Sequence, residues 1–203
     1  MAPSTNPQCC QARRKTIDLM DKSATNEKLE WYAMSSPYNT QLASQRKLQE
    51  LGIETFIPMQ TREQVIKGKR VSKEVPAVSN LLFARSTMSI LRQSKEYIKR
   101  LQFKVWRREE KNIPIIIPDA QMQNFINACR IAQNRMVFVK EEDINWEAGT
   151  PVRIVSGQLK GLQGVLAKVK GKRSRKVAIT INQFVSAYIV DVPLEAVERI
   201  EAE

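Results

Sequence analysis

Cations at close spacing are the chemistry this chain offers most plainly. From Lys168 to Lys176 the run KVKGKRSRK carries six basic residues in nine positions without one acid. A second set, Lys67, Lys69, Arg70 and Lys73, lies in VIKGKRVSK, and Arg46, Lys47 and Arg100 stand elsewhere. Such groups, clustered, neutralise phosphates. The chain has no histidine, which removes the commonest general base and the commonest zinc ligand. The adjacent acids Glu141 and Glu142 sit in no motif that would raise a pKa or frame a cleft. No enzymatic activity, metal or cofactor is therefore expected. The stretch GQLKGLQG, 157–164, invites a phosphate-cradling reading. It has no helix after it and no Lys-Ser/Thr ending, which excludes a P-loop.

The totals fit this picture. A chain of 203 residues suits one medium domain or two small ones, and a net charge of +12 favours a polyanionic partner, nucleic acid before membrane or acidic protein. The three cysteines, Cys9, Cys10 and Cys129, form no disulfide framework and no CxxC pair, which points to a reducing cytoplasm. No apolar run approaches the ~20 residues of a membrane helix. Residues 1–29 are polar with two early prolines and lack the apolar core of a secretion signal, so a flexible extension is expected.

Beyond the extension, strand and helix patterns alternate. WYAM, 31–34, starts a strand, and QLASQRKLQEL, 41–51, reads as a helix capped by Asn39 or Thr40 and closed by Gly52. IETFIPM alternates as a strand, and the valines and isoleucine around Lys67-Gly68-Lys69 suggest a hairpin with a basic tip. SNLLFARS reads as a central strand, TMSILRQSKEYIKR as a helix, and LQFKVWRR and IPIIIPD as strands around the loop EEKN. In DAQMQNFINACRIAQNR, Asp119 is placed to cap a helix whose apolar stripe is Met122, Phe125, Ile126 and Cys129. VKEEDINWEAG, 139–149, reads as an irregular acidic linker. After it, PVRIV, GVLAKV, KVAITI, SAYIVDV and AVERI are five strand runs with no helix between them, the signature of a small barrel. Gly157 and Gly161 suit positive φ, and Gly164 a sharp bend into the next strand.

GTPVRIVSGQLKGLQGVLAKVKGKRSRKVAITI resembles a KOW motif, and WYAM, LQELGIETFIPM, SNLLFAR and IIIPDAQMQNFI together are similar to the N-terminal domain of NusG-family transcription factors. The IPDAQM helix and the long extension look most like the specialised UpxY and RfaH paralogs, the former antiterminators of capsular polysaccharide operons. The resemblance implies an α+β fold. Its parts would be an NGN α/β sandwich at 30–138 with a mainly antiparallel sheet flanked by helices, a linker at 139–148, and a five-stranded SH3-like KOW β-barrel at 149–203.

It also implies roles. The NGN domain would bind the β′ clamp helices of bacterial RNA polymerase through Leu81 and Phe83, with Asn80 and Phe103 as additions. A contact to the β gate loop would fall at Arg92-Gln93-Ser94, which lacks the paired threonines of some paralogs. Non-template DNA would meet Tyr38, Arg46, Lys47 and Arg100, although Ser36 and Pro37 replace basic residues of the pattern. Upstream DNA would meet Lys67, Lys69 and Arg70, and nucleic acid, nascent RNA included, would meet Lys172, Arg173 and Arg175. Phe184 matches the KOW residue that contacts the ribosomal protein NusE or the termination factor Rho, while Ser186 replaces the arginine expected beside it. The implied protein is a cytoplasmic monomer without membrane contact. Two other readings remain: a ribosomal-type KOW protein that clamps RNA, and, on the weaker ground above, an enzyme. A core role competes for Leu81, Phe83 and Phe184.

Overall fold

The computed structural model describes residues 27–66, 69–108, 111–132, 135–139, 143–173, 176–181, 185–189 and 192–200. Most of the N-terminal extension, Lys67, Arg175 and Phe184 therefore lie outside the described residues. In chain order the elements are β1 (Glu30–Ser35), α1 (Gln41–Glu50), β2 (Glu54–Phe56), β3 (Met59–Ile66), β4 (Lys69–Pro76), β5 (Leu81–Ser86) and α2 (Met88–Tyr97). Then come β6 (Gln102–Phe103), β7 (Val105–Arg108), β8 (Lys111–Pro114), β9 (Ile116–Ile117), α3 (Asp119–Ala132) and β10 (Met136–Val139). The C-terminal part holds β11 (Ile144–Ile154), β12 (Gln163–Val169), β13 (Lys176–Ile181), β14 (Val185–Ile189), a 3₁₀ turn (Leu194–Ala196) and β15 (Val197–Arg199). Every strand pair is antiparallel, and the fold is α+β.

The first sheet runs β2-β5-β1-β6, with β9 also on β1. Successive side chains in a strand point to opposite faces, and β1 and β5 use both. Trp31, Ala33, Leu81 and Phe83 pack in one core cluster with Met122, Phe125 and Ile126 of α3. Tyr32, Met34, Leu82 and Ala84 pack in another with Leu48 of α1 and Leu91 of α2. The uninterrupted apolar run in SNLLFA is thus the mark of a strand covered on both sides. Two ribbons, β3–β4 and β7–β8, leave this sheet.

The second sheet has the order β10-β14-β13-β12-β11-β15. It contains the five expected strands and one more, β10. It too is covered on both faces: Val177, Ile179, Val185, Ala187 and Ile189 join the α3 cluster, while Ala167, Val169, Ala178 and Tyr188 back onto Ile144. Helix α3 is therefore the layer between the two sheets. Phe125, fully buried, has its ring edge-on to Phe83 at 6.2 Å, Phe56 at 6.1 Å and Phe138 of β10 at 6.3 Å. A buried aromatic side chain contributes about 1.5–3 kcal/mol through its area, and edge-on aromatic pairs about 0.5–1.5 kcal/mol more. Asn124 fastens the polar rim: its Nδ2 donates to the Gln163 carbonyl at 2.8 Å and its Oδ1 accepts from the Gln163 N–H at 3.0 Å. Gln121 Nε2 donates to the Thr180 carbonyl at 3.2 Å.

Several local expectations need correction. Residues 144–149, expected to be irregular, begin β11, where a register shift lies between Asn145 and Thr150. LQFKVWRR is split into β6 and β7, because Phe103 pairs with Met34 whereas Val105 pairs with Pro114. Lys111, expected in a loop, opens β8. Asp119 is not a cap. It is the first residue of α3, and its carboxylate pairs with Arg85 Nε at 3.4 Å, while the Pro118 carbonyl accepts from the Met122 N–H. Thr40 occupies the N-cap of α1 but makes no side-chain cap bond. The last residues of the extension are tied down, since the Glu27 carboxylate accepts from the Ser89 N–H at the start of α2.

The glycines of GQLKGLQG serve two purposes. Gly157 and Gly161 adopt φ of 77° and 92°, as expected. Gly164 does not require positive φ; a Cβ there would meet the Ala178 carbonyl oxygen at 2.6 Å and Val177 Cγ1 at 2.9 Å. Backbone cannot move aside cheaply. Gly164→Ala should therefore cost about 1–3 kcal/mol as overpacking, read by urea unfolding.

A candidate nucleic-acid interface

At the C-terminal end of β1 the chain turns through SSPYNT into α1. Among the described residues four non-glycines have positive φ: Tyr38 (60°), Asn39 (56°), Asn80 (59°) and Arg100 (70°). All four meet here. The Asn39 N–H donates to Asn80 Oδ1 at 3.4 Å, the Ser36 N–H donates to the Asn80 carbonyl at 3.0 Å, and the Arg100 guanidinium lies 4.6 Å from the Tyr38 ring centre. Left-handed backbone costs about 1–2 kcal/mol per residue, and only asparagine and aspartate reduce that cost by local bonding. For Tyr38 and Arg100 the cost is carried in order to hold an aromatic ring, 75% exposed, against a cation. Strain of this kind is characteristic of functional sites.

The turn is rigid because its underside is a buried hydroxyl chain. Ser36 Oγ lies 2.8 Å from both Thr40 Oγ1 and Ser44 Oγ, and Thr40 Oγ1 donates to the Pro37 carbonyl at 2.7 Å. Ser36 and Ser44 are buried. Thus Ser36, which stands where a basic residue belongs in the resemblance, serves as a support. Arg46 and Lys47 are exposed farther along α1.

The other candidates fall into separate places. Leu81 and Phe83 are fully buried on the α3 face, whereas Phe103 packs on the opposite face, edge-on to Tyr32 at 5.7 Å with Lys95 Nζ at 5.2 Å. Asn80 belongs to the Tyr38 turn. These four do not form one surface. Arg92, Gln93 and Ser94 lie on α2, where Ser94 is buried and donates to the Ile90 carbonyl. Burial alone pushes the Cys129 thiol on α3 up to about 12, which leaves it inert near neutral pH.

The β3–β4 ribbon sorts its charges by face. Directly opposed residues share a face, and Arg62 is paired with Lys73, with Lys69 and Val71 on that side by alternation. Arg70, Glu63 and Glu74 occupy the other side, with Arg70 paired to Val65 and Glu63 to Ser72. The basic face is thus Arg62, Lys69 and Lys73, rather than a set containing Arg70. Like charges directly opposite one another destabilise a ribbon, and an anion across them would reverse that sign. On the second sheet, Lys172 and Arg173 are exposed beyond the Gly171 turn, and Lys172 Nζ lies 5.8 Å from the Tyr188 ring centre. Val185 and Ser186, next to Phe184, are both buried. The described residues contain no cluster of His, Cys, Asp and Glu able to hold a metal.

Residues 29–126 match the family model described as "Transcription termination factor nusG", so the chain carries a NusG-type domain over that stretch. A solved structure described as "Domain interaction in Thermotoga maritima NusG" is similar at 16% identity, over 86% of this chain and 98% of that chain, with a TM-score of 0.44. No curated protein sequence matches the chain. Among the described residues no helix is long and apolar enough to cross a membrane.

The strain at Arg100 is directly measurable. Arg100→Gly removes the left-handed penalty and the stacked cation together. It should raise stability by up to about 1 kcal/mol in denaturant melts and weaken single-strand binding in anisotropy titrations.

Proposed function

We propose that this protein is a non-enzymatic, NusG-like antiterminator that rides on elongating bacterial RNA polymerase and suppresses pausing and termination. The observation that carries the reading is the strained Tyr38–Arg100 stack at the head of α1, within the NusG-type stretch. The stack offers a flat ring and a cation to an unpaired non-template base, a contact worth about 1–3 kcal/mol in single-strand binders. The Arg62–Lys69–Lys73 face suits duplex phosphates upstream, and Lys172 and Arg173 a further strand or nascent RNA. In this reading residues 30–138 form the NGN domain, 139–148 the linker and 149–203 the KOW domain. The KOW domain recruits NusE, Rho or nucleic acid, the protein acts as a cytoplasmic monomer, and its target is a polysaccharide-biosynthesis operon.

The test is an in vitro pausing and termination assay with purified RNA polymerase on candidate leader templates. The protein should shorten pauses and raise read-through, and Tyr38→Ala should lose that effect on the responsive template. Binding to ribosomal RNA without binding to polymerase would reject this reading in favour of a ribosomal-type clamp.

Leu81 and Phe83 have no exposed surface. Met122, Phe125 and Ile126 of α3 pack directly on them, so they act on polymerase only indirectly, by holding the sheet beneath α3. Asn124→Leu removes both bonds to Gln163, each worth about 0.5–1.5 kcal/mol. The variant should therefore lose about 1–3 kcal/mol of stability in urea unfolding.

A further inference from the structure

The β7–β8 ribbon is used by none of these readings. Its register is Val105↔Pro114, Trp106↔Ile113, Arg107↔Asn112 and Arg108↔Lys111. It grows out of the edge of β1 through three backbone bonds. The Lys104 N–H donates to the Ala33 carbonyl at 2.9 Å, the Ala33 N–H to the Ile115 carbonyl at 3.1 Å, and the Ile115 N–H to the Lys104 carbonyl at 2.9 Å. Beyond that root its apolar residues join no core cluster. Yet Trp106 is 37% exposed and Ile113, directly opposite, 46%. Lys111 shares their face by alternation, Arg107 is exposed on the other, and Lys104 stands half-buried at the root. Glu109 and Glu110, between Arg108 and Lys111 in the sequence, lie outside the described residues.

We propose that the flank and root of this ribbon bind single-stranded nucleic acid, with Trp106 as the stacking platform, Lys104 and Lys111 meeting the phosphates, and Arg107, on the opposite face, adding longer-range attraction. An unpaired strand supplies a flat apolar face and a regular line of negative charge together, and this ribbon interleaves the complements of both. A duplex hides its base faces and would use only the cations. The ribbon also lies near the Tyr38–Arg100 stack in the chain. Trp106 follows Arg100 by six positions, a span of at most about 20 Å, so one strand of a few nucleotides reaches both. The ribbon contact does not depend on the Tyr38 reading.

The experiment is fluorescence anisotropy of the full chain with labelled oligo-dT, oligo-rU and a DNA duplex of equal length, across a salt series. Trp106→Ala should weaken single-strand binding about 10-fold, and Trp106→Phe should restore most of it. Arg107→Gln with Lys111→Gln, both surface changes, should flatten the salt dependence. Duplex affinity should be unchanged by Trp106→Ala, and the stronger of the two oligonucleotide arms identifies the strand as DNA or RNA. If Tyr38→Ala abolishes binding while the Trp106 and Arg107/Lys111 variants bind as wild type, the ribbon proposal is wrong and the Tyr38 reading stands. The opposite pattern supports the ribbon and removes Tyr38. Equal loss on duplex and single strands overturns the stacking role. Intact oligonucleotide binding with lost polymerase binding overturns the proposal and makes the patch a protein contact.

Discussion

The burial of α3 on both sides is the constraint from which the rest of the architecture follows. A helix with one apolar stripe can serve one sheet, but Phe125 reaches Phe83 and Phe56 in the first sheet and Phe138 in the second. Its neighbours divide the work. Met122, Phe125 and Ile126 supply the apolar contact, while Gln121 and Asn124 bond the backbone of β13 and β12 at the rim. Remove that layer and Leu81, Phe83, Val177 and Ile179 are all left facing water. The two sheets therefore share one core.

With the α3 face closed, the exposed rings of Tyr38 and Trp106 lie on the perimeter of the first sheet. There the chain uses turns and ribbons rather than a cleft. The Tyr38 turn is held from beneath by Ser36, Thr40 and Ser44, so the exposed ring keeps its position at a backbone cost that a flexible loop would avoid. The cavity of about 420 Å³ between the root of β3–β4 and α3 is lined by Phe56, Met59, Glu74, Cys129 and Arg130. It has no convergent reactive groups, and its one thiol is silenced by burial. Cations are displayed on ribbon faces, and the ion pairs that tie β2 and α3 through Arg85 are exposed and individually weak.

Local pattern and local chemistry were legible residue by residue. The alternation in WYAM and NLLFA, the helix stripe of Met122, Phe125, Ile126 and Cys129, the positive-φ glycines 157 and 161, and the five C-terminal strand runs all read correctly because each depends on near neighbours. The motifs also pointed to the NusG type of domain that residues 29–126 carry. The acidic stretch before Gly149 was misleading, since its strand forms only when β12 is present to pair with it. The basic hairpin was visible, but which cations share a face depended on the register Arg62↔Lys73, which no composition rule supplies.

What the sequence determined by itself was the charge, the order of most elements and the kind of domain. Tertiary structure alone decided which apolar residues are available to a partner. Leu81 and Phe83 differ from Trp106 and Ile113 neither in residue class nor in periodicity. The first pair is fully covered by a helix forty residues away, whereas the second is left 37% and 46% exposed. It likewise decided that Tyr38, Asn39, Asn80 and Arg100 belong together. Left-handed backbone at a tyrosine or an arginine has no local signature; it is held only where separate elements converge and supply the energy that the residue lacks.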